Sequence, residues 1–219
     1  MKCGILGYGI IGQATHIGLL NNRSVAIHDI NLDTRLEALA DCDIVFYCIP
    51  TTDNADVEKL IDITVRLTTL NAALMSVYRS TVPVGTCRQI KETYNIDIYY
   101  MPEFLRERMW ETECRKPEII VGQQDNFDFA SIWPDKKFVC CSWADAEMVK
   151  MFSNNFAALR VTFANHMYDL AQTANSDYNK VLSLWQLIEN KQTYLDVSEN
   201  LRGFGGKCLP KDLDFLQVV

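Results

Sequence analysis

Short, nearly continuous apolar runs recur through the first 141 residues, separated by stretches in which apolar and polar positions alternate at helical spacing. Such runs predict strands that are buried on both faces of a parallel sheet. Strands that alternate with helices build a doubly wound α/β fold of the Rossmann type. We expect strands at 2–6, 24–28, 43–49, 73–78, 97–100, 118–121 and 137–141, and helices at 10–20, 56–67 and 127–133. The link between the second and third strands is short for a full helix.

The pattern becomes helical from Trp143. Neither glycine nor proline occurs over the next sixty residues, which favours long helices. We expect one helix to about residue 174 and a second, capped within 175–177, to about residue 188. The sequence therefore predicts an α/β domain at 1–142 and a mostly helical, catalytic domain at 143–219.

Composition excludes several classes of protein. The chain has 219 residues, of which 48% are hydrophobic and 22% charged, and these values indicate a globular protein rather than a disordered one. A net charge of −7 argues against a nucleic-acid-binding groove. No apolar run resembles a membrane span or a signal peptide, so we expect no membrane association. The eight cysteines form no CxxC pair and no histidine lies at zinc-like spacing, so we expect no metal, reduced thiols and a cytoplasmic location.

A glycine-rich segment at 7–12 (GYGIIG) joins the first predicted strand to the first helix. Such glycines allow a tight turn and a close backbone approach to a pyrophosphate, which the helix N-terminus attracts. Asp29 ends the second strand, where a carboxylate accepts the ribose hydroxyls of NAD and repels the additional phosphate of NADP. Arg35 could instead favour NADP. We predict an NAD site made by Gly7, Tyr8, Gly9, Ile10, Ile11, Gly12, Asp29 and Arg35.

Two further segments follow predicted strands. Ligands of open α/β sheets bind beyond the carboxyl ends of the strands, so both segments should reach the cofactor. One contains Pro50 and Thr51, and the other is the segment 80–86 (STVPVGT), in which Thr81 could present its hydroxyl. Ordinary strand-to-helix turns with serine or threonine caps explain the same residues equally well.

Charged residues at two other places could carry chemistry. Glu103 and Glu107, in PEFLRE, would share one face of a helical turn, where a partly buried carboxylate can act as a general base. Solvated helix charges are the alternative. Lys150 and Asn154 are also four residues apart, in an apolar stretch that we expect to be buried, and an ammonium beside an amide could stabilise an alkoxide. Alternatively, Lys150 extends to solvent and pairs with Glu147.

The last motif is GFGGKCLPKD at 203–212. Its glycines let backbone pass close to a ligand, and Cys208 would lie at a helix start between Lys207 and Lys211. A helix N-terminus and nearby lysines both favour the thiolate, which predicts a reactive cysteine with Asp212 one turn further on. A buried structural thiol is the alternative.

Together, GFGGKCLPKD, STVPVGT and PEFLRE resemble the motifs of the UDP-glucose/GDP-mannose dehydrogenase family in order and spacing. The resemblance implies NAD-dependent oxidation of the primary alcohol of a nucleotide sugar to a carboxylate, in two hydride transfers with a covalent intermediate on Cys208. It implies that Lys150 and Asn154 stabilise the oxyanion and that Asp212 acts as a base through a water. Further residues implied at the substrate, the hydrolytic water or the nicotinamide are Thr81, Glu103, Phe104, Leu105, Arg106, Glu107, Phe204 and Gly205.

The chain also departs from that family. The family continues into a long dimerisation helix and a second α/β domain that holds much of the nucleotide, whereas this sequence stops at Val219. Only Lys191 could replace an arginine that, in the family, reaches a neighbouring subunit. We expect a homodimer formed through the helical region. A single-step dehydrogenase of the β-hydroxyacid type, and an NAD-binding protein that needs a separate nucleotide-binding subunit, remain alternatives.

Overall fold

The computed structural model describes residues 1–21 and 24–188. The chain divides into two compact units, Met1–Asn155 and Phe156–Val219. The first unit extends beyond residue 142 because Trp143 and Ala146, in the first turn of the long helix, are buried in the core of the sheet. The geometry of the candidate site lies within this first unit.

Seven strands form the sheet of the first unit: β1 Cys3–Leu6, β2 Ala26–His28, β3 Ile44–Tyr47, β4 Met75–Tyr78, β5 Ile98–Tyr100, β6 Glu118–Gly122 and β7 Lys137–Cys141. Their order is β2-β1-β3-β4-β5-β6-β7. Every predicted strand is present, and β1 to β5 are parallel. However, β6 runs antiparallel to β5, with β7 parallel to β6. The link from β5 to β6 holds only short helical turns, and an antiparallel pair needs no helical crossover.

The helices are α1 Ile10–Gly18, α2 Asn54–Leu70, α3 Thr86–Tyr94, α4 Trp110–Glu113, α5 Trp143–Thr173 and α6 Tyr178–Ile188. The short link between β2 and β3 holds a 3-10 helix, Leu36–Asp41. The helix expected at 127–133 is only a 3-10 turn, Phe129–Ser131, because Pro134 disfavours helical backbone just before it. No helix in the described part of the chain is long and apolar enough to span a membrane.

Side chains along each central strand alternate between two cores. On β3, Val45 and Tyr47 belong to the core that contains the buried residues of α2 and α3. Ile44 and Phe46 belong to the opposite core, which the residues around α1 complete. Burial on both faces explains why the strands read as continuous apolar runs.

The first turns of α5 attach to the sheet through polar side chains. The Trp143 indole N–H donates to a backbone carbonyl of β5 over 2.6 Å. The fully buried Glu147 accepts hydrogen bonds from the backbone N–H groups of Gly85 (2.6 Å) and Cys87 (2.9 Å). A carboxylate at this position caps α3, whose N-terminus carries a partial positive charge. These contacts bring Lys150, the next residue on the same face of α5, to the carboxyl edge of the sheet.

Candidate functional site

A cleft of about 720 Å³ opens at the carboxyl ends of β1, β3 and β4. This is the switch point of the sheet, because the chain passes from β1 to β2 on one side and then to β3 on the other. Ligands of open α/β sheets bind in such a crevice. The predicted site residues that line the cleft are Gly7, Gly9, Ile10, Ile11, Asp29, Pro50, Thr51, Thr81 and Glu103.

The glycine-rich loop has the geometry that a dinucleotide requires. Gly7 has a φ of +86°, which favours glycine. A Cβ on Gly12 would lie 2.1 Å from the Gly7 carbonyl oxygen, so only glycine allows α1 to begin so close to β1. Gly9 has open space where a Cβ would be, and no side chain caps α1 there. The free N–H groups at the start of α1 can therefore receive a pyrophosphate.

Asp29 is tied to this loop. One carboxylate oxygen accepts from the Tyr8 backbone N–H over 2.7 Å, and the other accepts from the Asn31 backbone N–H over 2.9 Å. These two backbone hydrogen bonds lower the pKa of Asp29, so the side chain is ionised at neutral pH. Its charge and position suit the ribose of NAD. Arg35 is exposed and lies outside the set of residues that line the cleft.

Asp29→Asn is expected to weaken NAD binding about 10- to 100-fold, because a hydrogen bond to a charged group contributes about 1.5–3 kcal/mol. The preference for NAD over NADP should narrow as well, since the repulsion of a 2′-phosphate is lost. Fluorescence titration with NADH and NADPH measures both affinities. Asp33→Asn, which removes an exposed charge from the same loop, should leave them unchanged. Equal NADH affinity in Asp29→Asn and the native chain would contradict the assignment.

Lys150 and Glu103 form a buried ion pair beside the cleft. Lys150 Nζ lies 2.9 Å from Glu103 Oε1, and the two side chains are only 4% and 13% exposed. Nζ also donates to the Glu103 carbonyl oxygen over 2.6 Å and lies 5.5 Å from the centre of the Phe104 ring. The second carboxylate oxygen of Glu103 accepts from the Leu105 N–H over 2.7 Å. Lys150 thus neither reaches solvent nor pairs with Glu147.

The prediction of a helical turn that places Glu103 and Glu107 on one face is wrong. The segment 103–106 has no regular secondary structure, because the Glu103 side chain bonds the Leu105 N–H locally instead. The 3-10 helix Glu107–Met109 begins only afterwards, and Glu107 is exposed. Arg106 is held by Glu113, whose carboxylate accepts from its backbone N–H (2.7 Å) and its Nε (2.8 Å). Contacts of Glu107 and Arg106 with cofactor or substrate stay predictions.

The sequence predicts that the apolar stretch around Lys150 is buried, but several of its apolar side chains are exposed. Met148 and Phe152 are 54% and 59% exposed, whereas Lys150 is only 3% exposed. The polar contacts of Trp143, Glu147 and Lys150 select the face of α5 that meets the sheet, so the apolar neighbours point elsewhere. Asn154, one turn beyond Lys150, is exposed, and its predicted role stays a prediction.

Thr81 lies at a tight junction between the ends of β3 and β4. Its carbonyl oxygen accepts from the Thr51 hydroxyl, and the Ser80 hydroxyl donates to the Ile49 carbonyl over 2.7 Å. Gly85, with a φ of +99°, is the N-cap residue of α3 and has no side-chain cap of its own. The cap comes from Glu147 instead of a serine or threonine. No local sequence pattern indicates this capping contact, because Glu147 and Gly85 are far apart in the chain.

The predicted residues Lys191, Phe204, Gly205, Cys208 and Asp212 lie outside the described residues. Within residues 1–21 and 24–188 there is no group of three or more His, Cys, Asp or Glu side chains that could hold a metal ion.

Sequence reasoning missed two charged residues of the first unit. Glu147 is completely buried, and its signal was its position four residues after Trp143, on the same helical face. Arg79 lines the cleft, and its signal was its place directly after the apolar run of β4. A charge at the end of a buried strand is either solvated or functional, and the sequence alone does not distinguish the two.

Comparison with known proteins identifies the family. The NAD binding domain of the UDP-glucose/GDP-mannose dehydrogenase family matches residues 21–132, and the central domain of the same family matches residues 144–218. The chain belongs to the UDP-glucose/GDP-mannose dehydrogenase family. Its cofactor is NAD, as the glycine-rich loop and Asp29 predicted.

Individual relatives agree with this membership. The UDP-glucose 6-dehydrogenase of Rickettsia conorii is 26% identical over 249 residues, which cover 96% of this chain and 56% of that enzyme. Two solved structures share the Rossmann-type fold. They are the GDP-mannose dehydrogenase of Pseudomonas aeruginosa (TM-score 0.71, 21% identity, 100% of this chain and 64% of the other) and the UDP-D-ManNAc dehydrogenase of Pyrococcus horikoshii (0.69, 18%, 97% and 63%). The chain spans about half the length of the curated UDP-glucose 6-dehydrogenases that it matches.

Proposed function

We propose that this chain oxidises the primary alcohol of a nucleotide sugar, of the UDP-glucose type, to a carboxylate with two molecules of NAD. The observation that carries the proposal is that the glycine-rich loop and Glu103, paired with Lys150, open into one cleft in a member of this family. The name of the Rickettsia relative supports the class of substrate. The GFGGKCLPKD motif supports a covalent step.

NAD supplies the hydride acceptor for both oxidations, and the side chains do the rest. The loop at 7–12 and the start of α1 bind the pyrophosphate, and Asp29 binds a ribose. The alcohol loses a proton as its hydride leaves. Lys150 offers a fixed positive charge to the developing alkoxide, and a charge held in place by Glu103 needs no reorganisation during the reaction. Asn154 adds an amide donor, and Asp212 accepts the proton through a water.

The second oxidation uses Cys208. Its thiol adds to the aldehyde and forms a thiohemiacetal, whose carbon then loses a second hydride and whose hydroxyl loses a proton, giving a thioester. Glu103 and Thr81 position a water that attacks the thioester, the carbon–sulfur bond breaks, and the thiol is restored. One alcohol, two NAD⁺ and one water thus give one carboxylate, two NADH and three protons.

A panel of nucleotide sugars tests the proposal, with NADH absorbance measured against the amount of sugar consumed. We expect two NADH for each sugar oxidised, and no NADH from glucose without a nucleotide. One NADH for each substrate molecule would favour the single-step alternative. NAD binding with no turnover on any nucleotide sugar would overturn the proposal for the chain alone and favour a protein that needs a separate nucleotide-binding subunit.

We also propose that the chain forms a homodimer through its helical region. On α6, Leu184, Leu187 and Ile188 are 56%, 81% and 81% exposed, and exposed apolar side chains of this kind favour an interface. Light scattering measures the oligomeric mass. A cytoplasmic location is part of the same proposal. It is supported by Cys42, Cys48 and Cys87, which form no disulfide.

A further inference from the structure

Arg79 is a cation of the cleft that the proposed chemistry does not use. It follows β4 directly and lines the cleft near Glu103. Its Nε is buried and has no hydrogen-bond partner. In the part of the chain that the structure describes, the guanidinium makes no ion pair either. Buried polar atoms are almost always paired, so an unpaired guanidinium nitrogen at the wall of a cleft suits an acceptor on a bound ligand.

The neighbouring groups do not supply that acceptor. Glu103 interacts electrostatically with Arg79, but its carboxylate oxygens bond Lys150 and the Leu105 N–H, and neither a hydrogen bond nor an ion pair joins Glu103 to Arg79 in the described residues. Burial raises the pKa of Cys48 to about 11, and burial also raises the pKa of Tyr100, so both groups are neutral at pH 7. Arg79, Lys150 and Glu103 therefore carry a net charge of +1.

The remaining charges that line the cleft are engaged elsewhere. Asp29 is bound by the N–H groups of the loop, and Asp56 accepts from the N–H of Thr52 over 2.9 Å. Neither acid, nor Lys59, is among the groups that act on Arg79. One negative charge on a bound ligand would balance this end of the cleft.

We propose that Arg79 forms an anion subsite that binds the carboxylate of a sugar acid. This inference rests on the proposed function, because the carboxylate is the group that the oxidation creates beside Glu103 and Lys150. A guanidinium offers parallel N–H donors that match the two oxygens of a carboxylate. The pyrophosphate of NAD has its own binding site at the start of α1, so the cofactor does not account for this cation.

The test measures binding of D-glucuronate and of its uncharged methyl ester to the NAD-saturated chain, by chemical-shift titration or calorimetry. We expect the native chain to bind glucuronate at least about tenfold more tightly than the ester, since a charge-assisted hydrogen bond is typically worth this much. Arg79→Gln should abolish the difference and leave ester binding unchanged. Arg79→Lys should bind glucuronate with intermediate affinity. Arg88→Gln, an exposed arginine on α3, is the control and should behave like the native chain.

Several outcomes would overturn the subsite. Glucuronate binding in Arg79→Gln equal to that of the native chain would do so, as would a native chain that binds acid and ester alike. A loss of NAD affinity in Arg79→Gln would assign the cation to the cofactor instead. If thermal melting shows Arg79→Gln to be unfolded, Arg79→Lys decides, and native-like glucuronate affinity in that variant overturns the subsite. Arg79-dependent glucuronate binding without turnover in the sugar panel would uphold the subsite and overturn the proposed function.

Discussion

Lys150→Met is expected to lower the free energy of unfolding by about 3–5 kcal/mol, the usual effect of removing one partner from a buried ion pair. The methionine fills a similar volume, so the loss comes from the Glu103 carboxylate, which stays 13% exposed and keeps only the Leu105 N–H. Urea denaturation followed by tryptophan fluorescence measures the change. Activity should fall too, because in the proposed mechanism Lys150 carries the charge that faces the alkoxide.

The chain contains a matched control for this variant. Lys91 and Asp97 form an ion pair with the same 2.9 Å distance as Lys150 and Glu103, but their side chains are 33% and 52% exposed. Lys91→Met should cost only about 0–1 kcal/mol, as exposed pairs do. Adding Glu103→Gln to Lys150→Met should recover part of the loss, since no unpaired charge is then buried. If Lys150→Met lowers the free energy of unfolding no more than Lys91→Met does, Lys150 and Glu103 do not form a buried ion pair that stabilises the fold.

Cys208→Ser is expected to reduce carboxylate formation by at least about a thousandfold, since removal of a catalytic nucleophile can cost up to about a millionfold in rate. A serine hydroxyl is a much weaker nucleophile than a thiolate at neutral pH. The variant should therefore release at most one NADH for each sugar, whereas the native chain should release two. Absorbance at the nicotinamide band and quantification of the sugar acid measure the two steps separately.

Cys140→Ser is the control for this experiment, because Cys140 is exposed on β7 and away from the cleft. Its turnover should equal that of the native chain. Glu103→Gln offers a complementary measurement: if Glu103 positions the hydrolytic water, this variant should accumulate a covalent sugar adduct by intact-mass spectrometry. Two NADH per sugar at the native rate in Cys208→Ser would exclude the covalent role.

The strands could be predicted because strands that are buried on both faces appear as continuous apolar runs in the sequence. Residues such as Ile44 and Val45 face opposite cores, and both must be apolar, so the run is continuous. The direction of β6 could not be predicted in this way, since it depends on whether the chain crosses the sheet before Glu118. The exposure of Met148 and Phe152 was missed because hydrophobicity does not reveal which face of a helix meets the sheet.

The candidate site was predicted residue by residue but not as an arrangement. Spacing suggested separately that Glu103 and Lys150 carry chemistry, yet the two are 47 positions apart and nothing local indicates that they pair. The hydrogen bond between Tyr8 and Asp29 could not be predicted for the same reason, since it joins the loops that follow two different strands. No role could be assigned to Arg79 from the sequence, because only the folded chain shows that Glu103 pairs with Lys150 and leaves Arg79 Nε without a partner.

The attachment of α5 to the sheet has a consequence for insertions and deletions. Trp143, Glu147 and Lys150 are spaced by four and three residues, and each makes a specific polar contact on the same side of the helix. One added residue between them would rotate everything after it by about 100° around the axis, given 3.6 residues in each turn. Lys150 would then leave Glu103 without a counter-charge. Substitutions at outward positions such as Met148 are tolerable, but the number of residues in this stretch is fixed by the site.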